Sequence, residues 1–160
     1  MNKRLYSDNC VNLIKEYEGF ESKPYLCPAG VPTIGYGTTI YPYGDYVDLR
    51  DPAISEKQAT RILLTTIDRY SDSVDRYLKN IINQSQFDAL VSIAYNIGLT
   101  AFRKSTLLKR VNENPNDPDI AYQFSRWKRG GGRILQGLVR RRTAEAELYF
   151  SETVVLPNKL

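Results

Sequence analysis

Between positions 55 and 82 the apolar residues return every three or four places: Ala59, Ile62, Leu63, Ile67, Tyr70, Val74, Tyr77, Leu78, Ile81 and Ile82. That period lays them along one stripe of an α-helix. Ser55-x-x-Gln58, just ahead, is a pattern in which two side chains satisfy the first free N–H groups of a helix. The spacing predicts one long amphipathic helix, and whatever the chain folds into must bury its stripe.

The texture differs on the two sides of that helix. From about 24 to 51 the chain is rich in Pro, Gly, Tyr and Thr, with two β-prone pieces, "VPTIGYG" and "GDYVDL", which read as a small twisted hairpin sheet. Ahead of it, Ser7 or Asp8 can cap a first helix carrying Val11, Leu13, Ile14 and Tyr17, which Gly19 stops. Glu18 then stands at the helix end. Behind the long helix, "SQFDALVSIAYNIG" is apolar around much of its circumference, as a core helix is, and ends at Gly98. Shorter helices follow at roughly 105–112, 119–127 and 137–150, separated by "NENPNDPD" and a flexible "RGGGR". The expected architecture is α+β, one domain over 1–160. A β lobe at about 20–54 is tied by the long helix to a helical lobe at about 55–160, which also takes the N-terminal helix. The groove between the lobes is the default site.

The 160 residues suffice for one sizeable core, and 42% hydrophobic with 25% charged residues is an ordinary globular balance. The net charge of +4 is unevenly spread. Residues 1–100 hold 10 Lys and Arg against 12 Asp and Glu, whereas residues 101–150 hold 11 against 5. The basic half attracts polyanions, among which charge alone does not choose. With no histidine and only Cys10 and Cys27, a zinc site and a disulfide framework are not expected. No apolar segment of signal-peptide or membrane-spanning kind is visible, so the expectation is a protein made in the cytoplasm, without stable membrane insertion. "GVPTIGYG" lacks the Gly-Lys-Ser/Thr end of a phosphate-binding loop, and no nucleic-acid motif is present.

Glycoside cleavage needs a proton donor on the leaving oxygen and, on the sugar's other face, a nucleophile or a positioned water. A glutamate at a lobe edge, such as Glu18, suits the donor role; alone it reads first as one more surface acid at a helix end.

The order Glu18-Gly19-Phe20, Tyr25, Pro28-Ala29-Gly30-Val31, Thr33-Ile34-Gly35-Tyr36-Gly37 resembles the catalytic region of the phage-type lysozymes, the endolysins of glycoside hydrolase family 24. The similarity runs on through "QFDALVSIAYNIG", "STLLKRVN", residues 127–137 and "RRRTAEAELY". It implies a lysozyme-like fold and a muramidase that hydrolyses the β-1,4 bond between N-acetylmuramic acid and N-acetylglucosamine of bacterial peptidoglycan, without cofactor or metal. It further implies a monomer that accumulates in the host cytoplasm and reaches the wall through a lesion made by a holin.

The family's pattern is Glu, eight residues, Asp, five residues, Thr. Glu18 and Thr33 fall on it, as general acid and as a hydroxyl orienting the water, but Cys27 stands where the aspartate belongs. Thr38 likewise replaces a frequent histidine. A thiolate at Cys27 could act as base, as electrostatic stabiliser or as nucleophile, and the last role would retain the anomeric configuration that the family inverts. Alternatively Cys27 is a small packed side chain, with Asp45 and Asp48 as reserve carboxylates, or joins Cys10 in a redox switch. The resemblance places Thr39, Tyr95, Asn96 and Ser105 on the substrate groove. Trp127 is expected to pack the helical lobe, and Arg140-Arg141-Arg142 to be a solvated face from which one member could reach Glu18. The rival reading is a non-catalytic peptidoglycan-binding protein that kept the fold and lost the second catalytic group.

Overall fold

The computed structural model describes residues 2–152, so residue 1 and residues 153–160 of the expected domain lie outside it. Helix α1 (Asp8–Glu18) starts at Ser7, whose hydroxyl accepts the Asn9 N–H, and stops at Gly19, whose φ of 70° lets its N–H turn back to the Lys15 carbonyl. Its inner face buries Cys10, Val11 and Ile14.

Strands β1 (Glu21–Leu26) and β2 (Pro32–Gly35) pair antiparallel, with Tyr25 opposite Thr33. This corrects the expected hairpin: "VPTIGYG" pairs with the segment before it, and "GDYVDL" contributes a single bridge, Ile40 to Tyr46. The reason lies in its acids. Asp51 Oδ2 accepts the Asp48 N–H and the Tyr41 hydroxyl, and Asp48 Oδ1 accepts the Arg50 N–H, so side chains take the backbone donors that a strand needs. A small core of Ile34, Tyr41 and Val47, backed by Ile54 and Ile62, holds this lobe.

Helix α2 (Glu56–Tyr77) opens with the expected reciprocal cap between Ser55 and Gln58 and buries Ala59, Leu63, Ile67 and Val74. It ends at Tyr77 instead of running on to Ile82, and Ile81 is 92% exposed. Two asparagines cause the break: Asn112 donates to the Tyr77 carbonyl and accepts the Lys79 N–H, while Asn80 donates to the carbonyls of Val111 and Asn112. Helix α3 (Gln84–Ile97) has its own reciprocal cap, Asn83 with Gln86, is buried continuously from Ser85 to Ala94, and stops at Gly98. Then come α4 (Leu99–Arg103), α5 (Thr106–Glu113) and α6 (Asp119–Ser125). Trp127 follows α6 and packs against the helical core. "RGGGR" is an ordered hairpin of β3 (Arg129–Gly130) and β4 (Arg133–Ile134), because Gly131 and Gly132, at φ 56° and 78°, supply the two left-handed residues that a tight hairpin turn needs. Helix α7 (Gln136–Tyr149) closes the lobe, so that α3 is packed by α1, α2 and α7. Among the described residues no helix is long and apolar enough to cross a membrane.

Candidate active site

Glu18 is the last residue of α1; one of its carboxylate oxygens is held and the other faces the glycine run. Oε1 accepts a hydrogen bond from Arg141 Nη1 at 2.7 Å. Arg141 is itself 3% exposed, and its Nε donates to Glu145 Oε1 at 3.2 Å. Glu145, wholly buried, also accepts from the Ser92 hydroxyl (2.8 Å) and from Arg142 Nη2 (3.1 Å). Burial pushes the Glu145 carboxyl up and the Arg142 guanidinium down, each against the attraction of the other. Two carboxylates and two guanidinium groups thus form one network between α1 and α7, to which Ser92 of α3 adds its hydroxyl.

This corrects the reading of Arg140–Arg142 as a solvated face. Only Arg140 is exposed, because Arg141, Arg142, Glu145 and Tyr149 form the stripe by which α7 lies on its neighbours. Two of the cations in the basic half of the chain therefore point inward.

The second oxygen, Oε2, faces Gly37. A Cβ there would stand 2.5 Å from it, and the backbone has φ +74°, so both the close approach and the conformation require glycine. The glycine run is in turn tied to α3, since the Tyr95 hydroxyl donates to the Tyr36 carbonyl at 2.9 Å. Burial, and next the Glu18 charge, push the Tyr95 phenol up.

Two cavities meet at this carboxylate. One, of about 340 Å³, has Gly37, Thr38, Thr39 and Ile40 on its sheet-lobe wall, Thr66, Arg69 and Tyr70 of α2 opposite, and Tyr95 and Asn96 at the end of α3. The other, of about 530 Å³, runs toward Leu135, Leu138 and Arg140. Glu18 and Asn96 border both, so the two are arms of one groove. Thr39, Tyr95 and Asn96 are thus brought together with Glu18. Ser105 is not: it caps α5, accepting the Leu108 N–H and donating to the Phe102 carbonyl.

Cys27 lies in the turn between β1 and β2, half-buried and free, and borders neither arm of the groove. Its backbone N–H donates to the Val31 carbonyl and its carbonyl accepts the Gly30 N–H. Hydrogen bonding from the Val31 backbone foremost, and then from Ala29, holds the thiol below its ordinary range. Thr33 is buried beside it, directing its hydroxyl to the Val31 carbonyl at 2.8 Å. Tyr25 links the two halves: its phenol is raised by burial and then by charge on Glu18, Glu21 and Cys27, so it lies within electrostatic reach of the acid and the thiol.

Asp45 is exposed, and Asp48 is held by Arg50 at 2.9 Å, which brings its carboxyl down to about 2. Cys10 is wholly buried in the helical core, where desolvation drives its thiol well above the usual range. Both thiols are free, Cys10 within the helical core and Cys27 in the β1–β2 turn, so the redox pairing finds no support. The sequence reading missed Thr66 and Arg69 of α2 and Glu145; it expected that one of Arg140–Arg142 could reach Glu18, and that one is Arg141. The spacing of Arg141 and Glu145, one helical turn apart, was the available signal. Among the described residues no three metal-ligating side chains gather.

Residues 15–145 match the phage lysozyme family. An endolysin of Bacillus phage PZA is 44% identical over 89% of this chain, which spans about half (54%) of that protein's length. Of solved structures, an endolysin from Escherichia coli O157:H7 phage FAHEc1 superposes with a TM-score of 0.85 at 35% identity, covering 93% of this chain and 95% of that one. The muramidase domain of SpmX from Asticaccaulis excentricus does so at 0.79 and 30%, covering 92% and 98%. The fold is therefore that of the lysozyme-like hydrolases. The chain belongs to the phage lysozyme family.

Proposed function

We propose that this chain hydrolyses the β-1,4 bond between N-acetylmuramic acid and N-acetylglucosamine in peptidoglycan, with Glu18 as general acid. The observation that carries the reading is a carboxylate held at one oxygen by Arg141, with its other oxygen beside Gly37, where the two arms of one groove meet. A glycan lying along the groove brings successive sugars into the two arms and the bridging oxygen to Glu18. Because Arg141 occupies Oε1, Oε2 carries the proton to the leaving oxygen. The similar proteins named above, two endolysins and a muramidase domain, agree with this chemistry.

The second group is the Cys27 thiolate, favoured by its backbone donors, acting with Thr33 on the attacking water and on the positive charge that develops at the anomeric carbon. Cys27 borders neither arm of the groove, so its part is electrostatic and reaches the reaction through the water. Thr39 and Asn96 offer hydroxyl and amide groups to the sugar. Tyr95, its hydroxyl committed to Tyr36, positions the glycine run and presents its ring. In the cell we place the protein as a monomer in the host cytoplasm, reaching the wall after a holin opens the membrane.

Glu18→Gln keeps the shape and cannot donate the proton. Clearing of purified cell walls should fall about 10²- to 10⁴-fold with an unchanged circular dichroism spectrum. Near wild-type clearing would assign the acid elsewhere. If the wild type sediments with walls and never clears them, the protein is a wall binder and not a hydrolase.

A further inference from the structure

Another cavity lies away from Glu18. On the helical lobe, where the end of α2 meets α4 and α5, a groove of about 660 Å³ is bordered by Arg76, Lys79, Arg103, Lys104 and Lys109 against one acid, Glu113. None of these five cations has a carboxylate partner within ion-pair distance among the described residues; the Glu113 carboxylate is taken by Arg110. All five are exposed, so the groove is a concentration of uncompensated positive charge and not a stabilising network.

A second cavity, of about 380 Å³, adjoins it and is bordered by Arg126 and Trp127. Lys104, Ser105 and Thr106 border both, so the start of α5 lies at the junction. A helix start presents N–H groups without intrahelical acceptors and the positive end of the helix dipole, which add to the lysine and arginine charge.

This groove faces the same way as the cleft. Arg69 and Tyr70, on the cleft wall, are each seven residues before Arg76 and Tyr77, on the groove wall. Seven residues are close to two turns, so both pairs lie on one stripe of α2, displaced by roughly 10 Å along its axis. Ser73, between them on that stripe, accepts a hydrogen bond from Arg76 at 3.0 Å and holds it there.

We propose that this basic groove is a second binding site, separate from the cleft, for a phosphodiester-linked anionic polymer of the bacterial wall. Phosphodiesters fit because each repeat carries a full charge, and a chain of repeats can engage cations on both sides of the groove at once. That the polymer belongs to the wall rests on the function proposed above; that the groove takes a repeating phosphate does not. The site holds the protein on the wall with its cleft turned toward the glycan.

The test measures binding, not turnover. Wild-type protein, Arg103→Glu/Lys104→Glu and the equally charged control Lys57→Glu/Arg61→Glu on the outer face of α2 are titrated with poly(glycerol phosphate), polyglutamate and a single-stranded oligonucleotide at low salt. We expect the groove variant to lose about tenfold in affinity for poly(glycerol phosphate) and the control less than about twofold. Equal losses would reduce the effect to net charge, and absence of wild-type binding would remove the site. Polyglutamate bound as tightly would overturn the phosphodiester preference, and tighter binding of the oligonucleotide would make nucleic acid the occupant. Arg103→Gln/Lys104→Gln, which only neutralises, should lose less than the reversal and guards against misfolding, which circular dichroism reads directly. Because no arm depends on cleavage, the site can stand if the hydrolase reading fails, and the reverse.

Discussion

Glu18 and Cys27 are nine positions apart in the chain, yet the protein holds them by different means. Glu18 is gripped by a buried guanidinium on one oxygen and has Gly37 beside the other, at the edge of a network of two carboxylates and two guanidinium groups that joins α1 to α7. Cys27 hangs in a two-stranded turn, touched by backbone groups and one hydroxyl. A group that must deliver a proton along one line needs fixed geometry. One that contributes charge to a water or a forming cation needs only to be near and ionised. The rigid half of the site is thus anchored in the helical lobe and the tunable half sits on the small sheet.

The sharpest way to break the rigid half is at its root. Glu145→Ala leaves Arg142 buried without its counter-charge and should cost about 3–5 kcal/mol, read as a loss of roughly 10 °C in thermal midpoint. Pairing it with Arg142→Met should recover much of that, because an apolar pair of similar volume is often no worse than a buried ion pair. A loss under about 1 kcal/mol from the single change would mean that the network is not the anchor.

A smaller intervention separates strain from contact. Gly37→Ala and Gly30→Ala both force a side chain onto positive φ, 74° and 76°, at about 1–2 kcal/mol each, but only at position 37 does the new Cβ meet Glu18. Wall clearing should fall at least about tenfold for Gly37→Ala and stay near wild type for Gly30→Ala. Equal activity in the two would show that Glu18 can yield.

Cys27 tests the tunable half. Cys27→Ala should lower clearing about tenfold or more with little change in thermal midpoint, and Cys27→Asp should keep it. The acting form is the thiolate and its pKa is lowered, so wild-type rate should climb as pH rises through a value below that of an ordinary thiol and drop as pH falls through it. The Asp variant should hold its rate to lower pH. Coincident profiles would remove the thiol from the mechanism. The smallest effect is expected at Asp45→Asn and Asp48→Asn, within about twofold of wild-type clearing; a tenfold loss at either would move the second group there.

The comparison also explains what could be read from the chain in advance. Glu18, Cys27 and Thr33 are close in sequence and carried by local signals: a capped helix, a glycine stop and a turn. The cap at Ser55 and Gln58 was legible for the same reason. Arg141 lies 123 residues from Glu18, and nothing local says that a run of three arginines turns two of them inward. Only the packing of α7 on α3 decides that. The early end of α2 had a similar cause, since the apolar period continues to Ile82 while the asparagine that stops the helix sits in α5. Ser105 shows the reverse error, where a polar residue assigned to substrate spends its hydroxyl on the backbone.

Helix α2 is fastened at both ends. The Ser55–Gln58 cap and the approach of Ala59 to Gly35 fix it to the sheet lobe, and the asparagine clasp fixes it to α5. A beam clamped at two abutments sets the span between them, so the width of the groove is written in a residue count. Adding one residue between Thr66 and Tyr70 would lengthen the beam by about 1.5 Å and turn one abutment against the other by roughly 100°. The site would come apart with every one of its side chains still present, which makes the length of this helix a stricter inheritance than the identity of its outward-facing residues.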